Sequence, residues 1–328
     1  MKVAFVGGVN SALDALRGIG VHTNTLIEEF KKIGKNKLEI DDDPKDADIT
    51  HFTKFHPFFI SLPFVKPSKK VILTIHDLIP LIYPEHYPSG IKGKINFLIN
   101  KILIRKNVDD IITISETSKK DICRFLGVDP KIVHVIYLAA KTVFKKISNT
   151  SILSSIEVKY KLPKKFVLYT GDVNYNKNIP VLVKACKTAN IPLVICGKQA
   201  KEIEDQDLSH AELRHLKNIN WTGVIRLGFV PDADLAAIYN LASVYVQPSL
   251  YEGFGLPAIE AVACGTPIAL AKSQCMVEVL GDDFSYCDPN DANSMAKAIL
   301  NPNRNKKLLR DYSWEKTARE TLEVYQHV

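Results

Sequence analysis

The 328-residue sequence lacks features that would point to several other classes of protein. It has six cysteines, none in a C-x-x-C pair and none grouped with histidines at zinc-ligand spacing, which is typical of reduced thiols in a cytosolic protein. No run approaches eighteen apolar residues, and no apolar leader precedes the strand-like run KVAFV. We therefore expect a cytoplasmic chain without a membrane span.

The excess of positive over negative charge is also small, because the formal net charge is only +7. This mild excess suits anionic ligands such as nucleotides, sugar phosphates or an acidic membrane surface. No basic block is interleaved with aromatic residues as single-strand binders require, so we expect no nucleic-acid partner. A nicotinamide-dependent dehydrogenase is disfavoured, because Gly18 and Gly20 lack the third glycine of the dinucleotide fingerprint, where Thr23 stands.

Short runs rich in valine and isoleucine alternate with longer amphipathic stretches, and this pattern occurs twice. The predicted strands are KVAFV, ADITHF, KVILTI, DDIITIS and IVHVIY in the first half, and FVLYTG, PLVICG, INWTGVI and SVYVQPS in the second. Buried strands with helical crossovers predict an α/β protein with two doubly wound parallel sheets. We place the domains at residues 1–150 and 151–312, with a final helix at 313–328 that packs back onto the first domain.

A loop with two carboxylates follows the last predicted strand, within residues 249–266. Its glycines allow a ligand to approach the backbone, and Pro257 is typical of a first helical turn. The helix start behind the loop favours an anion, and Glu252 and Glu260 can accept hydrogen bonds from hydroxyl groups. A plain strand-to-helix turn explains Glu260 alone equally well. The whole string fits a nucleotide sugar better.

A second strand, loop and helix carry the lysine of FVLYTGDVNYNKNIPVLVKA. Lys177 could reach a diphosphate as a point charge and stabilise its departure. A solvated surface lysine is the alternative interpretation. Lys198 also follows a predicted strand, at the end where ligands gather in such sheets.

In the first half, His76 and Asp77 end the predicted strand of VILTIHDLIP. They could serve a sugar hydroxyl or make a structural hydrogen bond. Arg17 could contact an acceptor, although a surface arginine is the simpler interpretation. The basic helix predicted at residues 90–107 could dock on a membrane surface or be a core helix with a charged outer face.

These motifs together resemble those of family 4 glycosyltransferases (glycosyl transferases group 1), including its mannosyltransferases. PSLYEGFGLPAIEAVACGTPIA resembles the family's E-x7-E segment, KNIP its RKN signature, GFVPDADLAAIYNLAS its base-binding segment, and TIHDLIP its H-D element. The resemblance implies the GT-B fold, in which two Rossmann-like domains face a central cleft. One departure is that Asp172 and Asn176 stand where many members have an arginine, and Lys198 or Arg226 could replace that cation.

The resemblance also implies roles for individual residues. The implied catalytic residues are Glu252, His76 and Lys177. The implied donor contacts come from Gly171, Lys177, Asn178, Lys198, Phe229, Val230, Glu252, Gly253, Phe254, Gly255, Leu256 and Glu260. The implied loop for acceptor and diphosphate holds Gly18, Gly20 and Asp77.

The implied function is retaining, metal-independent hexosyl transfer without a cofactor, as in polysaccharide biosynthesis. The donor would be a UDP-, GDP- or ADP-linked sugar. The acceptor hydroxyl would belong to a glycan, a small molecule or a lipid-linked saccharide at the inner face of a membrane. Two alternatives stay open: a phosphorylase-like enzyme that uses inorganic phosphate, and a non-catalytic GT-B module that binds sugars or a partner.

Overall fold

The computed structural model describes residues 1–7, 18–33, 38–41 and 43–327. The chain divides into two compact units, one of Met1–Ala139 with Tyr312–Val328 and the other of Ala140–Asp311. Each unit contains a six-stranded sheet, and every pairing between neighbouring strands is parallel. The predicted α/β class with two parallel sheets is confirmed.

The first unit holds strands β1 to β6 and helices α1 to α4 and α12. The strands are β1 Lys2–Val6, β2 Glu39–Asp41, β3 Ile49–Phe52, β4 Lys70–Thr74, β5 Asp110–Thr113 and β6 Val133–Val135. The helices are α1 Gly18–Ile33, α2 Ile79–Ile82, α3 Gly90–Asn107, α4 Glu116–Leu126 and α12 Trp314–His327. The strand order is β2-β1-β3-β4-β5-β6.

Both faces of this first sheet are buried. Neighbouring residues of a strand point to opposite faces, and accordingly Leu73 packs with α4, whereas Ile72 packs with α1 and α12. Two covered faces explain why the strands are almost continuously apolar. Helix α12 therefore contributes to the core of the first unit.

The second unit holds strands β7 to β12 and helices α5 to α11. The strands are β7 Val167–Thr170, β8 Leu193–Cys196, β9 Val224–Gly228, β10 Val244–Gln247, β11 Ile268–Ala271 and β12 Tyr286–Cys287. The helices are α5 Thr150–Lys159, α6 Ile179–Ala189, α7 Lys198–Lys201, α8 Asp232–Leu241, α9 Leu256–Ala263, α10 Gln274–Leu280 and α11 Ala292–Leu300. The strand order is β12-β11-β10-β7-β8-β9.

The prediction that INWTGVI forms a strand was wrong over most of its length. Strand β9 begins only at Val224, because a turn precedes it. In that turn the Val224 amide donates to the Trp221 carbonyl at 3.0 Å, and Gly223 has a φ of +81°. Glycine reaches this left-handed region at little cost.

Candidate active site at the switch point of the second sheet

The strand order of the second sheet places two loops side by side. The chain leaves β7 in one direction for β8 and β9, and in the other for β10 to β12. Strands β7 and β10 are neighbours at this reversal. In open parallel sheets, ligands bind beyond the carboxyl ends of the strands at such a switch point. The lysine loop follows β7 and the carboxylate loop follows β10.

Two asparagines hold the lysine loop against the carboxylate loop. Asn176 donates from Nδ2 to the Tyr251 carbonyl at 3.0 Å, and its own carbonyl accepts from the Leu250 amide at 2.8 Å. Asn178, at a φ of +56°, donates to the Pro248 carbonyl at 3.0 Å. Buried backbone groups of two loops are thereby satisfied by side chains. The two loops are therefore joined by both side-chain and backbone hydrogen bonds.

The carboxylate loop turns into α9 as the sequence predicts. Gly255 caps the helix with a φ of +85°, and Pro257 lies in its first turn. A side chain at Gly255 would also meet Met276 Cε at 2.0 Å. Glu260 lies in the second turn, and Gly265, at a φ of +74°, follows the helix end. Backbone N–H groups at this start can receive an anion.

Lys177 and Glu252 form an ion pair between the two loops. Lys177 Nζ donates to both carboxylate oxygens of Glu252, each at 2.8 Å. Glu252 Oε1 also accepts from Gln247 Nε2 at 2.7 Å and from Ser249 Oγ at 2.6 Å. The side chain of Lys177 is 23% exposed and that of Glu252 is 8% exposed. Buried charges persist in proteins when they are paired and hydrogen-bonded in this way.

Glu260 lies in a different environment, although it belongs to the same motif. Its Oε2 accepts from Tyr239 OH at 3.1 Å, and Tyr239 OH lies 2.8 Å from Thr170 Oγ1. Burial, with a smaller effect from Asp232, raises the pKa of Glu260 to about 8. The carboxyl group is therefore mostly protonated at neutral pH, unlike a group beside a cation.

The two cations suggested as replacements for the usual arginine differ in availability. Arg226 pairs with Glu204 and donates to the Ala200 carbonyl at 3.3 Å. Lys198 begins α7 at the carboxyl end of β8, and its Nζ is 3.9 Å from Glu202. That distance is too long for a hydrogen bond. Lys198 is therefore the more available cation of the two.

A glycine brings the loop after β8 into contact with the loop after β7. A side chain at Gly197 would lie 2.2 Å from the Gly171 carbonyl oxygen. The Gly171 amide donates to the Cys196 carbonyl at 3.0 Å. Only glycine permits this close backbone approach. After β9, Phe229 is exposed whereas Val230 is buried, so an aromatic ring is available at the third strand end.

In the first unit, the imidazole ring of His76 contacts another histidine. His22 Nδ1 and His76 Nε2 are 2.9 Å apart. Burial lowers the pKa of His76 to about 4, and it lowers the pKa of His22 well below its usual value. Both rings are neutral at neutral pH, so one donates and the other accepts. His22 therefore influences which nitrogen of His76 carries the proton.

The other predicted acceptor residues of this unit have structural positions. Asp77 Oδ1 accepts from the Ile79 amide at 3.1 Å at the start of α2. Gly18 and Gly20 lie in the first turn of α1, four and two residues before His22. Arg17 lies outside the described residues. These residues keep their roles as predictions.

Several residues of the site were not predicted, because they act as partners of predicted ones. Gln247 and Ser249 bind Glu252, Tyr239 binds Glu260, and His22 binds His76. A weak signal existed for Gln247, since an amide within the buried strand run SVYVQPS needs a polar partner. Nothing in the sequence marks Tyr239 or His22 in this way.

No group of three or more His, Cys, Asp or Glu side chains within residues 1–7, 18–33, 38–41 and 43–327 is arranged to hold a metal ion. Independence of metal stays a prediction.

Comparison with known proteins identifies the family. Residues 155–320 match the family described as Glycosyl transferases group 1, and residues 17–142 match Glycosyltransferase Family 4. The chain belongs to the group 1 glycosyl transferases. The predicted resemblance is confirmed.

Individual relatives include mannosyltransferases of Escherichia coli. The serotype-specific mannosyltransferase WbdA is 28% identical over 286 residues, which cover 82% of this chain and 35% of that protein. The O-antigen chain mannosyltransferase B is 28% identical over 280 residues, which cover 79% of this chain and 70% of that protein. The chain thus spans about a third of the length of WbdA.

Solved structures share the fold. Sucrose-phosphate synthase from Thermosynechococcus elongatus superposes with a TM-score of 0.63 at 20% identity, covering 99% of this chain and 94% of that one. Anabaena HepE, in complex with UDP-glucose, gives a TM-score of 0.64 at 16% identity, covering 100% and 94%. The GT-B fold is therefore that of this chain.

Proposed function

We propose that the protein is a retaining hexosyltransferase that moves a sugar from a nucleoside-diphosphate donor to a hydroxyl acceptor. The observation that carries the proposal is the pairing of Lys177 with Glu252 at the switch point, close to the start of α9. A nucleotide sugar has a diphosphate between two hydroxyl-rich groups. A cation, two carboxyl groups and a helix N-terminus match that composition. Membership of the family supports the same chemistry.

Each side chain then has a role that its position supports. Lys177 binds the diphosphate, with Lys198 as the second cation. Glu260 binds the ribose, and the backbone at Phe229 and Val230 meets the base. The donor sugar lies by Glu252, whose neighbours Gly253, Phe254, Gly255 and Leu256 offer backbone N–H groups. Lys177 donates to both oxygens of Glu252. A diphosphate that binds Lys177 therefore has to share or displace that contact.

The proposed reaction is a displacement on one face of the sugar. The acceptor oxygen bonds to the anomeric carbon as the bond from that carbon to the diphosphate oxygen breaks. The acceptor proton passes to the departing phosphate. Lys177 stabilises the negative charge that develops there, which is the kind of fixed electrostatic contribution that lowers such barriers. No metal ion or cofactor takes part, and His76 contributes to binding of the sugar.

We propose a UDP-, GDP- or ADP-linked hexose as the donor. The mannosyltransferase relatives support mannose, and the HepE complex supports UDP-linked glucose as a second choice. The acceptor is a glycan hydroxyl, here proposed to be lipid-linked and met by peripheral contact with a membrane. None of the helices in the described part of the chain is both long and apolar enough to cross a bilayer.

A panel of nucleotide sugars tests the proposal. We expect one UDP-, GDP- or ADP-linked hexose to raise the melting temperature, and to be turned over without inorganic phosphate and in the presence of a chelator. The Lys177→Ala variant should lose the thermal shift, whereas Lys184→Ala, an exposed lysine on α6, should keep it. Absence of any shift across the panel, or an equal shift in Lys177→Ala, would overturn the assignment. A strict requirement for phosphate would instead favour a phosphorylase.

A further inference from the structure

Helix α3 exposes a set of apolar residues, although part of its buried face is polar. Asn100 and Asn107 are buried, whereas four apolar side chains are 52% to 81% exposed. These four are Ile91, Ile95, Leu98 and Ile102. Their spacing of four, three and four residues places them within a stripe about 60° wide. A surface helix that stays in water normally has polar residues in place of such an exposed stripe.

The buried asparagines explain why the helix is oriented in this way. Asn100 Nδ2 donates to the Phe59 carbonyl at 2.7 Å, and its Oδ1 accepts from the Ser61 amide at 3.1 Å. Asn107 Nδ2 donates to the Pro63 carbonyl at 2.9 Å. These bonds join the helix to the irregular segment between β3 and β4. Leu103 and Ile104 are also buried on the inner side of the helix. The asparagines and these two residues together fix the inner face, so the apolar stripe faces outward.

The same segment adds exposed apolar residues next to the helix. Phe59, Ile60, Phe64 and Val65 are all exposed. Eight of the fourteen large exposed hydrophobic residues of the described chain thus lie between positions 59 and 102. Single exposed apolar residues need no explanation, but such a concentration marks an interaction surface.

The charges beside the stripe are all positive. Helix α3 has no acidic residue and five cations, which are Lys92, Lys94, Lys101, Arg105 and Lys106. At about 100° per residue, three of them lie on one side of the stripe and two on the other. Long basic side chains can extend toward phosphate groups while their stems cover apolar surface. A protein partner would need an apolar groove with acidic residues on both sides of it. An anionic bilayer has an apolar interior and negatively charged headgroups over its whole surface.

We propose that the outer face of α3 docks in the headgroup region of an anionic lipid bilayer. The stripe inserts at the boundary with the acyl chains, and the flanking cations bind lipid phosphates. The mixture of apolar and basic residues predicts binding that needs anionic lipid and weakens with salt.

A small groove continues this face toward the predicted acceptor residues. It has a volume of about 280 Å³ and is lined by Leu81, Phe97, Leu98 and Lys94, among others. Its wall includes α2, which follows His76 and Asp77 directly along the chain. The inference deepens the proposed function, because an acceptor with an apolar tail would be presented from this side. Docking itself does not depend on the activity.

Vesicle flotation of the full chain, without nucleotide sugar, tests the docking. We expect binding to vesicles of phosphatidylcholine with phosphatidylglycerol, and weak binding to phosphatidylcholine alone. The Ile95→Ser, Leu98→Ser variant should bind about ten-fold less. Its matched control is Ile152→Ser, Val158→Ser on α5, whose residues are 47% and 77% exposed; the control should bind like the wild type.

Two further measurements distinguish lipid docking from the proposed transferase activity and from dimerisation. The Lys92→Gln, Lys94→Gln variant should lose binding to anionic vesicles and keep its melting temperature. Donor-induced thermal shifts should be the same in all variants, so failure of the docking and failure of the proposed function give different results. Equal flotation of wild type and α3 variant would overturn the proposal. So would light scattering that shows a dimer which the α3 variant dissociates, because the stripe would then bind a second copy.

Discussion

Replacing Lys177 with alanine should destabilise the second unit and weaken nucleoside-diphosphate binding at the same time. The carboxylate of Glu252 is 8% exposed and receives both of its charge-paired hydrogen bonds from Lys177. In the variant that carboxylate stays buried, and only Gln247 and Ser249 still donate hydrogen bonds to it, both to the same oxygen. Removing one partner of a buried pair costs about 3 to 5 kcal/mol. The two remaining donors place our expectation near the lower limit.

The opposite change should cost less. Glu252→Gln leaves Lys177, whose side chain is 23% exposed and can reach water, so we expect a loss of about 1 to 2 kcal/mol. In the double variant Lys177→Ala, Glu252→Gln no buried charge is stranded, and its stability should be close to that of Glu252→Gln. The sum of the two single effects should therefore exceed the double effect by about 3 kcal/mol.

Urea unfolding followed by circular dichroism measures this cycle, and calorimetry measures binding. For a unit of this size, a loss of about 3 kcal/mol corresponds to a decrease in melting temperature of about 6 to 12 °C. Binding of the nucleoside diphosphate should weaken about ten- to hundred-fold in Lys177→Ala. Single effects that add up to the double effect would refute the argument that burial of Glu252 sets the cost. Unchanged affinity would remove Lys177 from the donor site.

Three further predictions concern other parts of the structure. The pKa of Glu260 is raised to about 8, so its bound proton stabilises the fold fully below the usual pKa of a glutamate, and this stabilisation is lost as pH rises toward 8. Relative to Glu260→Gln, the wild type should therefore lose about 1.4 kcal/mol of unfolding free energy per pH unit between about pH 5 and 8. Unfolding free energies from urea titrations that change equally with pH in the two proteins would contradict this. His22→Phe should lower kcat about ten-fold and alter its pH profile, because it removes the bond to the predicted catalytic histidine; wild-type kinetics would exclude a positioning role. Gly197→Ala should cost about 2 kcal/mol or more in thermal unfolding, because its Cβ meets the Gly171 oxygen, whereas Gly18→Ala, with open space around it, should be neutral.

Much of the fold was predictable because strands buried on both faces are continuously apolar. Every predicted strand except INWTGVI lies where the structure has one. Three strands were missed for physical reasons. β2 is a three-residue strand with two acids, β11 is half alanine, and β12 has two residues. β2 and β11 each contain one β-branched residue and β12 contains none, so none of them is the run of valine and isoleucine on which the prediction depends.

For the site, the sequence predicts which loops matter but not how their side chains are paired. Both loops follow predicted strands, so their position at the carboxyl edge was predictable. The strand order that makes β7 and β10 neighbours was not predictable, and the contact between Lys177 and Glu252 depends on that order. The pKa of Glu260 depends on burial and on Tyr239, which lies in another helix. The raised pKa of Glu260 is therefore a property that the spacing of the motif does not reveal.

Helix α3 shows the same limit from the opposite direction. Its mixture of apolar and basic residues predicts an amphipathic helix, and burial of apolar area normally decides which side faces the core. Here the buried side contains Leu103 and Ile104 together with asparagines that bind backbone carbonyls about forty positions earlier in the chain, and the second apolar stripe is left outside. An apolar stripe left in water costs free energy for as long as it is uncovered. The contact with lipid that we propose for this face would remove this cost, and it would leave the groove beside α2 on the same side as the membrane.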